Sequence, residues 1–185
     1  ERRGDRWVVN GSKMFITNGT VCDFFMVAVR TNPVPGHKGI SLLLIEKGTK
    51  GFAVSRKLDK LGWHSSDTSE LSFQDVEVPA ENLLGEEGKG FSYLMQGLQN
   101  ERVVTAAVCV AAMQIMLDDA KRYMADRHAF GHPISAFQAL RHRYADLVAQ
   151  TEACRQLTYH AARRMRAGED AIQEVSMAKL LACEW

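Results

Sequence analysis

A chain of 185 residues, 46% hydrophobic and 24% charged, has room for one sizeable domain or two small ones and the balance of a globular protein, which sets disorder aside. Its formal net charge is +1, and the short basic clusters at 141–144 (RHRY) and 162–167 (ARRMRA) are offset by neighbouring acids, so nucleic acid is not an expected partner. No apolar run reaches the roughly 18 residues of a membrane span, and ERRGDRWVVNGSK lacks the apolar core of a signal peptide. Up to residue 90, strand-forming runs alternate with turn chemistry. RWVVNGSKMFITNG predicts two strands around a turn at Asn10-Gly11, followed by strands in DFFMVAVR, GISLLLIEK, GFAVSRKL and ELSFQDVEVP.

Beyond residue 90 glycine thins out and the apolar spacing changes. Leu140, Tyr144, Leu147, Val148, Cys154, Leu157, Ala161 and Met165 recur mostly at steps of three and four, the period of an amphipathic helix. Helices are predicted over 89–126, 134–167 and 170 to the end, with Gly131 and Pro133 breaking the chain between the first two and Ala167-Gly168-Glu169-Asp170 between the others. At 1.5 Å per residue the first helix exceeds about 50 Å, the length of a bundle helix. The expected fold class is α+β: an antiparallel β domain over 1–85 and part of a helical bundle over 86–185. The chain opens inside a strand pattern and closes in mid-helix on AKLLACEW, as a segment of a longer protein does.

Few residues announce chemistry by spacing. HExxH, GxSxG and GxxxxGK[ST] are absent from the sequence. GEEGKG at 85–90 lies between a strand and a helix and reads as a turn, while His128 and His132 flank Phe130-Gly131 in a predicted loop, so no metal site is expected. Cys22, Cys109, Cys154 and Cys183 are widely spaced without a CxxC and read as buried free thiols of a reducing compartment. MFITNG at 14–19 is either a strand ending in a turn or a strand end that lays an aromatic ring and a threonine hydroxyl against a flat heterocycle. Glu101-Arg102 has two readings as well. A carboxylate in a first helical turn offsets the macrodipole; but the apolar pattern already starts at Phe91, which places Glu101 further in, among Leu98, Val104 and Thr105. There it would be partly desolvated, a setting that favours a general base near neutral pH.

Four motifs in order, KMFITNG, LDKLGWHSSDTSELSFQDVEVPAENLLGEEGKGF, LQNERVVTAA and RHAFGHPISAFQALRHRYADL, resemble the acyl-CoA dehydrogenase family across essentially the whole chain. The resemblance implies a fold in which an N-terminal helical domain, a central β domain and a C-terminal four-helix domain enclose FAD. This chain would supply most of the β domain and the first part of the helical domain, without the N-terminal helical domain. Phe15, Ile16 and Thr17 match the segment that packs on the isoalloxazine ring, where the family commonly has Trp at the position of Phe15. Arg127 and Phe130 match residues that reach the FAD of a neighbouring subunit, and Gln138 a contact to its adenine-nucleotide part, which implies a homodimer or homotetramer.

Most family members carry the catalytic glutamate near the C-terminus. The isovaleryl-CoA and long-chain branches carry it in a helix as LxxER, and Glu101 occupies that position. Arg102 matches the arginine of the acyl-CoA site, with Leu98 beside it as a substrate contact. The implied reaction is α,β-dehydrogenation of an acyl-CoA thioester to the trans-2-enoyl-CoA, with electrons passed to an electron-transferring flavoprotein, in bacterial cytoplasm or mitochondrial matrix. The alternatives are an oxygen-using relative on the same fold, an oxidase or monooxygenase, and a non-catalytic acyl-CoA-binding module.

Overall fold

Seven strands make the first half: β1 (Arg2–Arg3), β2 (Arg6–Thr17), β3 (Phe24–Arg30), β4 (Ile40–Glu46), β5 (Phe52–Lys57), β6 (Thr68–Pro79) and β7 (Leu83–Leu84). All 185 residues are described by this computed structural model. The strands pair antiparallel in two sheets, ordered β1-β2-β6-β5 and β3-β4-β7. Period-2 alternation aims one face of each sheet inward: Leu71, Phe73, Val76 and Val78 of β6 share a core with Trp7 and Val9 of β2, Phe25 and Val27 of β3, and Leu43 and Ile45 of β4. Each such side chain contributes roughly 1.5–3 kcal/mol on burial. Phe52 joins Phe25 and Phe73 at centroid distances of 5.0 and 5.2 Å.

The Asn10-Gly11 turn expected from sequence is not formed. β2 runs unbroken, and the dipeptide faces a bulge, where the register passes from Val9↔Val76 to Gly11↔Phe73. The extra residue lies on β6, where Asp75 takes a left-handed φ of 48°. Asn10 holds it from the opposite strand: its Nδ2 donates to Asp75 Oδ1 at 2.9 Å, and the Asp75 N–H donates to Asn10 Oδ1 at 2.8 Å. The inserted residue also explains why the inward set of β6 switches from odd to even numbers after Phe73.

The 85–90 segment is a turn, as expected. Gly85 and Gly88 adopt φ of 69° and 79°, and the Gly88 N–H donates to Ser41 Oγ at 2.9 Å. Helix α1 (Gly90–Asp126) then begins against β4: a Cβ on Gly90 would lie 2.7 Å from the Ser41 carbonyl carbon. The chain divides within α1 into two compact units, Glu1–Met95 and Gln96–Trp185.

In the second unit, α1 is followed by a hairpin of β8 (His128–Ala129) and β9 (His132–Pro133), then α2 (Gln138–Arg166) and α3 (Ile172–Glu184). α2 starts four residues later than expected because Pro133 leads into a short 3-10 turn over Ile134–Ala136. Gly168, at φ 74°, stops it. Small residues let α2 and α3 pack: Cys154, Thr158 and Ala161 on α2, and Val175, Ala178 and Ala182 on α3, are all buried. Thr151 and Thr158 satisfy their hydroxyls on the carbonyls of Leu147 and Cys154.

No uninterrupted apolar run in α1 reaches 18 residues, yet by length and mean hydropathy alone the helix is apolar enough to cross a membrane. Interspersed alanines and valines, rather than an unbroken run of large residues, produce this. Its Ala106, Val110, Met113 and Leu117 are buried at steps of three and four, the stripe of a bundle helix. Of the four thiols only Cys154 is buried; Cys22 and Cys109 are half-buried and Cys183 is exposed, because it lies next to Ala182 but off the inward stripe of α3.

Candidate functional site

Three groups of residues carry the site expectations, one in the first unit and two in the second. In the first unit a second bulge interrupts β2 between Lys13↔Leu71 and Ile16↔Ser69. Here the extra residue is on β2, and Phe15 takes φ 61°, a conformation unfavourable for a side chain with a Cβ. The bulge turns the ring outward, 72% exposed, in place of the inward alternation that an unbroken strand would impose.

Thr17 is exposed at the strand end, and Ile16 is half-buried against the β core. The turn that follows is held by residues that sequence reasoning did not single out. Asp67 Oδ2 accepts from the Thr20 N–H at 2.9 Å, the Asp67 carbonyl accepts from the Asn18 N–H at 3.2 Å, and Ser69 Oγ donates to the Ile16 carbonyl at 3.2 Å. The Thr20 N–H holds the Asp67 carboxyl below its ordinary range. Gly19 lies close against the Ser69–Ile16 hydrogen bond: a Cβ there would fall 1.8 Å from Ser69 Oγ and would displace the hydroxyl from the Ile16 carbonyl. The available signal was an acid between small hydroxyl residues just before a strand, SSDTSEL.

In the second unit, Leu98, Glu101, Arg102 and Thr105 follow a helical i, i+3, i+4, i+7 spacing and share one face of α1. Thr105 Oγ1 donates to the Glu101 carbonyl at 2.8 Å, which leaves the carboxylate uninvolved. Arg102 and Leu98 are half-buried. The expectation of a partly desolvated Glu101 does not hold within this chain: the residue is exposed, as are Val104, Thr105 and Val108 beyond it, because no element of the unit packs over that side of α1.

The β8–β9 hairpin turns on Phe130 (φ 53°) and Gly131 (φ 83°), two left-handed residues in succession, the turn that matches strand twist. Phe130 is 91% exposed and meets Phe137 edge-on at 6.2 Å. Arg127, whose backbone is fixed by the Tyr123 carbonyl and the Ile134 N–H, carries its guanidinium into solvent. Gln138, the first residue of α2, is exposed as well. The hairpin groups Arg127 and Phe130 at one end of α1, whereas Glu101 stands about 38 Å back along that helix at 1.5 Å per residue. Glu101 and the hairpin therefore cannot serve one reacting centre within one chain.

The arrangement supplies an outward aromatic ring and a hydroxyl on one bulge, a carboxylate and a guanidinium on one helix face, and a cation beside an aromatic tip on a hairpin. Taken one by one, the first has the chemistry for a planar ring, the second for proton transfer and the third for a phosphate-bearing ligand.

Comparison with known proteins gives two family matches: the acyl-CoA dehydrogenase middle domain over residues 1–76 and the acyl-CoA dehydrogenase C-terminal domain over residues 88–185. The chain is 45% identical to the cyclohex-1-ene-1-carbonyl-CoA dehydrogenase of Geobacter metallireducens, covering 99% of this chain and 48% of that protein. It is 42% identical to the short-chain specific acyl-CoA dehydrogenase of Megasphaera elsdenii, covering 96% and 46%, and 42% identical to the mitochondrial long-chain specific acyl-CoA dehydrogenase of Mus musculus, covering 100% and 43%. The chain thus spans about half the length of the curated relatives it matches.

Among solved structures, a probable acyl CoA dehydrogenase from Mycobacterium abscessus matches with a TM-score of 0.93 at 47% identity, over 99% of this chain and 48% of that one. A chain described under the electron transferring flavoprotein of Acidaminococcus fermentans matches at 0.92 and 42%, over 99% and 48%. The FAD complex of PigA matches at 0.92 and 33%, over 96% and 46%.

Proposed function

The chain belongs to the acyl-CoA dehydrogenase family, and from that premise we propose that it contributes the flavin face and the catalytic base of an FAD-dependent enzyme that converts an acyl-CoA thioester to its trans-2-enoyl-CoA. The Phe15 bulge carries the reading. A phenylalanine held left-handed and 72% exposed costs backbone energy, of order 1–3 kcal/mol, with no packing return inside the first unit. A flat ring laid on it recovers the exposed area, so the residues present fit FAD. Phe15 and Ile16 would hold the isoalloxazine and Thr17 would offer it a hydroxyl, while Arg127, Phe130 and Gln138 would bind the nucleotide portion.

Bound FAD supplies the acceptor for the hydride that leaves the substrate β carbon. Glu101 removes the α proton: its carboxylate is unpaired by its own helix and directed away from the buried stripe of α1. Arg102, adjacent and half-buried, places a permanent positive charge beside that carboxylate and beside the acyl-CoA, and Leu98 offers the acyl chain apolar surface one turn earlier. Substrate bound over this face would exclude water from the reacting atoms.

The distance along α1 between Glu101 and the hairpin supports a homodimer or larger assembly in which Arg127 and Phe130 serve the FAD of a neighbouring subunit. The electron acceptor we propose is an electron-transferring flavoprotein, a reading supported by the similarity to a chain of the Acidaminococcus fermentans electron transferring flavoprotein. The relatives named for short-chain, long-chain and cyclic acyl groups stand at 42%, 42% and 45% identity, so the test below spans all three classes of acyl group.

The test uses the full-length flavoprotein that contains this chain, wild type and Glu101→Gln, mixed without oxygen with a panel of acyl-CoA thioesters while the visible flavin absorbance is followed. Bleaching in the wild type and a loss of roughly a thousandfold or more in the variant are expected. A variant that bleaches at the wild-type rate removes Glu101 from the role of base. Rapid return of colour on admitting air, without an added acceptor protein, would favour the oxygen-using alternative.

A further inference from the structure

Two of the four thiols, separated by 74 positions in sequence, meet in the second unit: Cys109 Sγ on α1 and Cys183 Sγ on α3 are 3.9 Å apart. That is van der Waals contact between sulfurs. We propose that Cys109 and Cys183 form a dithiol modification site, which a two-electron oxidant of the peroxide class closes into a disulfide joining α1 to α3. This inference is independent of the flavin reading.

The surroundings of the two sulfurs differ, and the difference assigns their roles. Within this chain Cys183 is the more exposed of the two, which assigns it the first encounter with peroxide. Its thiolate attacks the O–O bond, one oxygen stays on sulfur as a sulfenic acid, and the other leaves as hydroxide, protonated to water. Cys109 then attacks the Cys183 sulfur from 3.9 Å away, the S–O bond breaks, and a second water departs. In sum two thiols and one hydrogen peroxide give one disulfide and two waters, with two electrons passing from sulfur to oxygen.

Cys109 suits the second, resolving role. It is half-buried, and burial first, then its contact with Cys183, pushes its thiol up, so it is a poor first nucleophile for a solvent-borne oxidant. Lys179, one turn before Cys183 on α3, opposes that shift with its positive charge and favours the Cys109 thiolate when the sulfenic acid is in place. Cys154 is set apart from this chemistry: it is buried among Ala106, Val110, Met113, Ala178 and Ala182. Closing the bond needs the sulfurs to approach from 3.9 Å to about 2.05 Å.

The full-length protein, reduced and then exposed to hydrogen peroxide, would be denatured in an alkylating reagent, digested without reductant and read by mass spectrometry. A cross-linked peptide pair containing Cys109 and Cys183 is expected, with Cys22 and Cys154 alkylated. In Cys109→Ser the cross-link is lost and Cys183 is trapped by dimedone as the sulfenic acid; in Cys183→Ser neither species forms. A wild type in which Cys183 accumulates as sulfenic or sulfinic acid, in which it links to Cys183 of a second copy, or in which both thiols remain alkylated overturns the proposal.

Discussion

Two glycines of the same helix should respond to the same substitution with opposite signs. At Gly90 an added Cβ would stand 2.7 Å from the Ser41 carbonyl carbon, 2.8 Å from its Cα and 3.0 Å from the Ile40 oxygen. All three obstructing atoms are backbone of a paired strand, so none can rotate away. Overpacking costs about 1–3 kcal/mol, and backbone obstruction puts Gly90→Ala near the upper end; subtracting about 0.5–1 kcal/mol of helix propensity leaves a loss of about 2 kcal/mol. At Gly97 nothing lies within 4 Å of the new Cβ, so Gly97→Ala keeps only the propensity gain of about 0.5–1 kcal/mol. Urea denaturation at constant m reads both, and in a chain of this size the two melting temperatures should separate by about 5–10 °C. Gly90→Ala at or above wild-type stability would refute the close seating of α1 on β4; loss of stability in Gly97→Ala would refute the open surface there.

Asn10→Ala removes both hydrogen bonds across the first bulge and should cost about 1–2 kcal/mol, since the Asp75 N–H loses its protein acceptor at an exposed site; chemical denaturation measures it. Asp67 supplies a sign for pH. Its folded pKa is depressed below the ordinary 3.8, so its contribution is fully present above that value and is lost as pH falls through the lower folded value; Asp67→Asn should be less stable than wild type near neutrality and converge with it in strong acid, which melting curves across that range check. Thr158→Val removes a buried hydroxyl bonded only to the Cys154 carbonyl of its own helix; it should cost about 0.5–1.5 kcal/mol, the net worth of that one hydrogen bond, whereas Cys154→Leu, overpacking the same junction, should cost about 1–3 kcal/mol by the same assay.

The helices were legible because period 3.6, sustained over many turns, has few competitors, and their ends carried Gly131, Pro133 and Gly168 as local punctuation. The Asn10-Gly11 dipeptide misled for a physical reason. Its chemistry is that of a two-residue turn, yet the partner that makes it part of a bulge, Asp75, lies 65 residues away and leaves no mark on the local sequence. The same holds for the Cys109–Cys183 contact. Glu101 could be placed on a helix among apolar residues, but its exposure depends on what packs over that face, and periodicity names faces without naming their cover. The identities of the site residues came from resemblance. The backbone that presents Phe15 was invisible to residue-type reasoning, because phenylalanine is not a residue expected at positive φ.

The left-handed phenylalanines set a limit on how this sequence can be improved. Glycine at position 15 or 130 would adopt the observed backbone without strain, and a β-branched residue at either would deepen it. Laboratory selection for heat resistance alone would therefore drift toward glycine at both places, shedding the rings while the β unit and the hairpin stayed folded. If the two rings hold the cofactor as proposed, thermal tolerance and ligand retention pull these two positions in opposite directions, and a screen that scores only the first would select against binding.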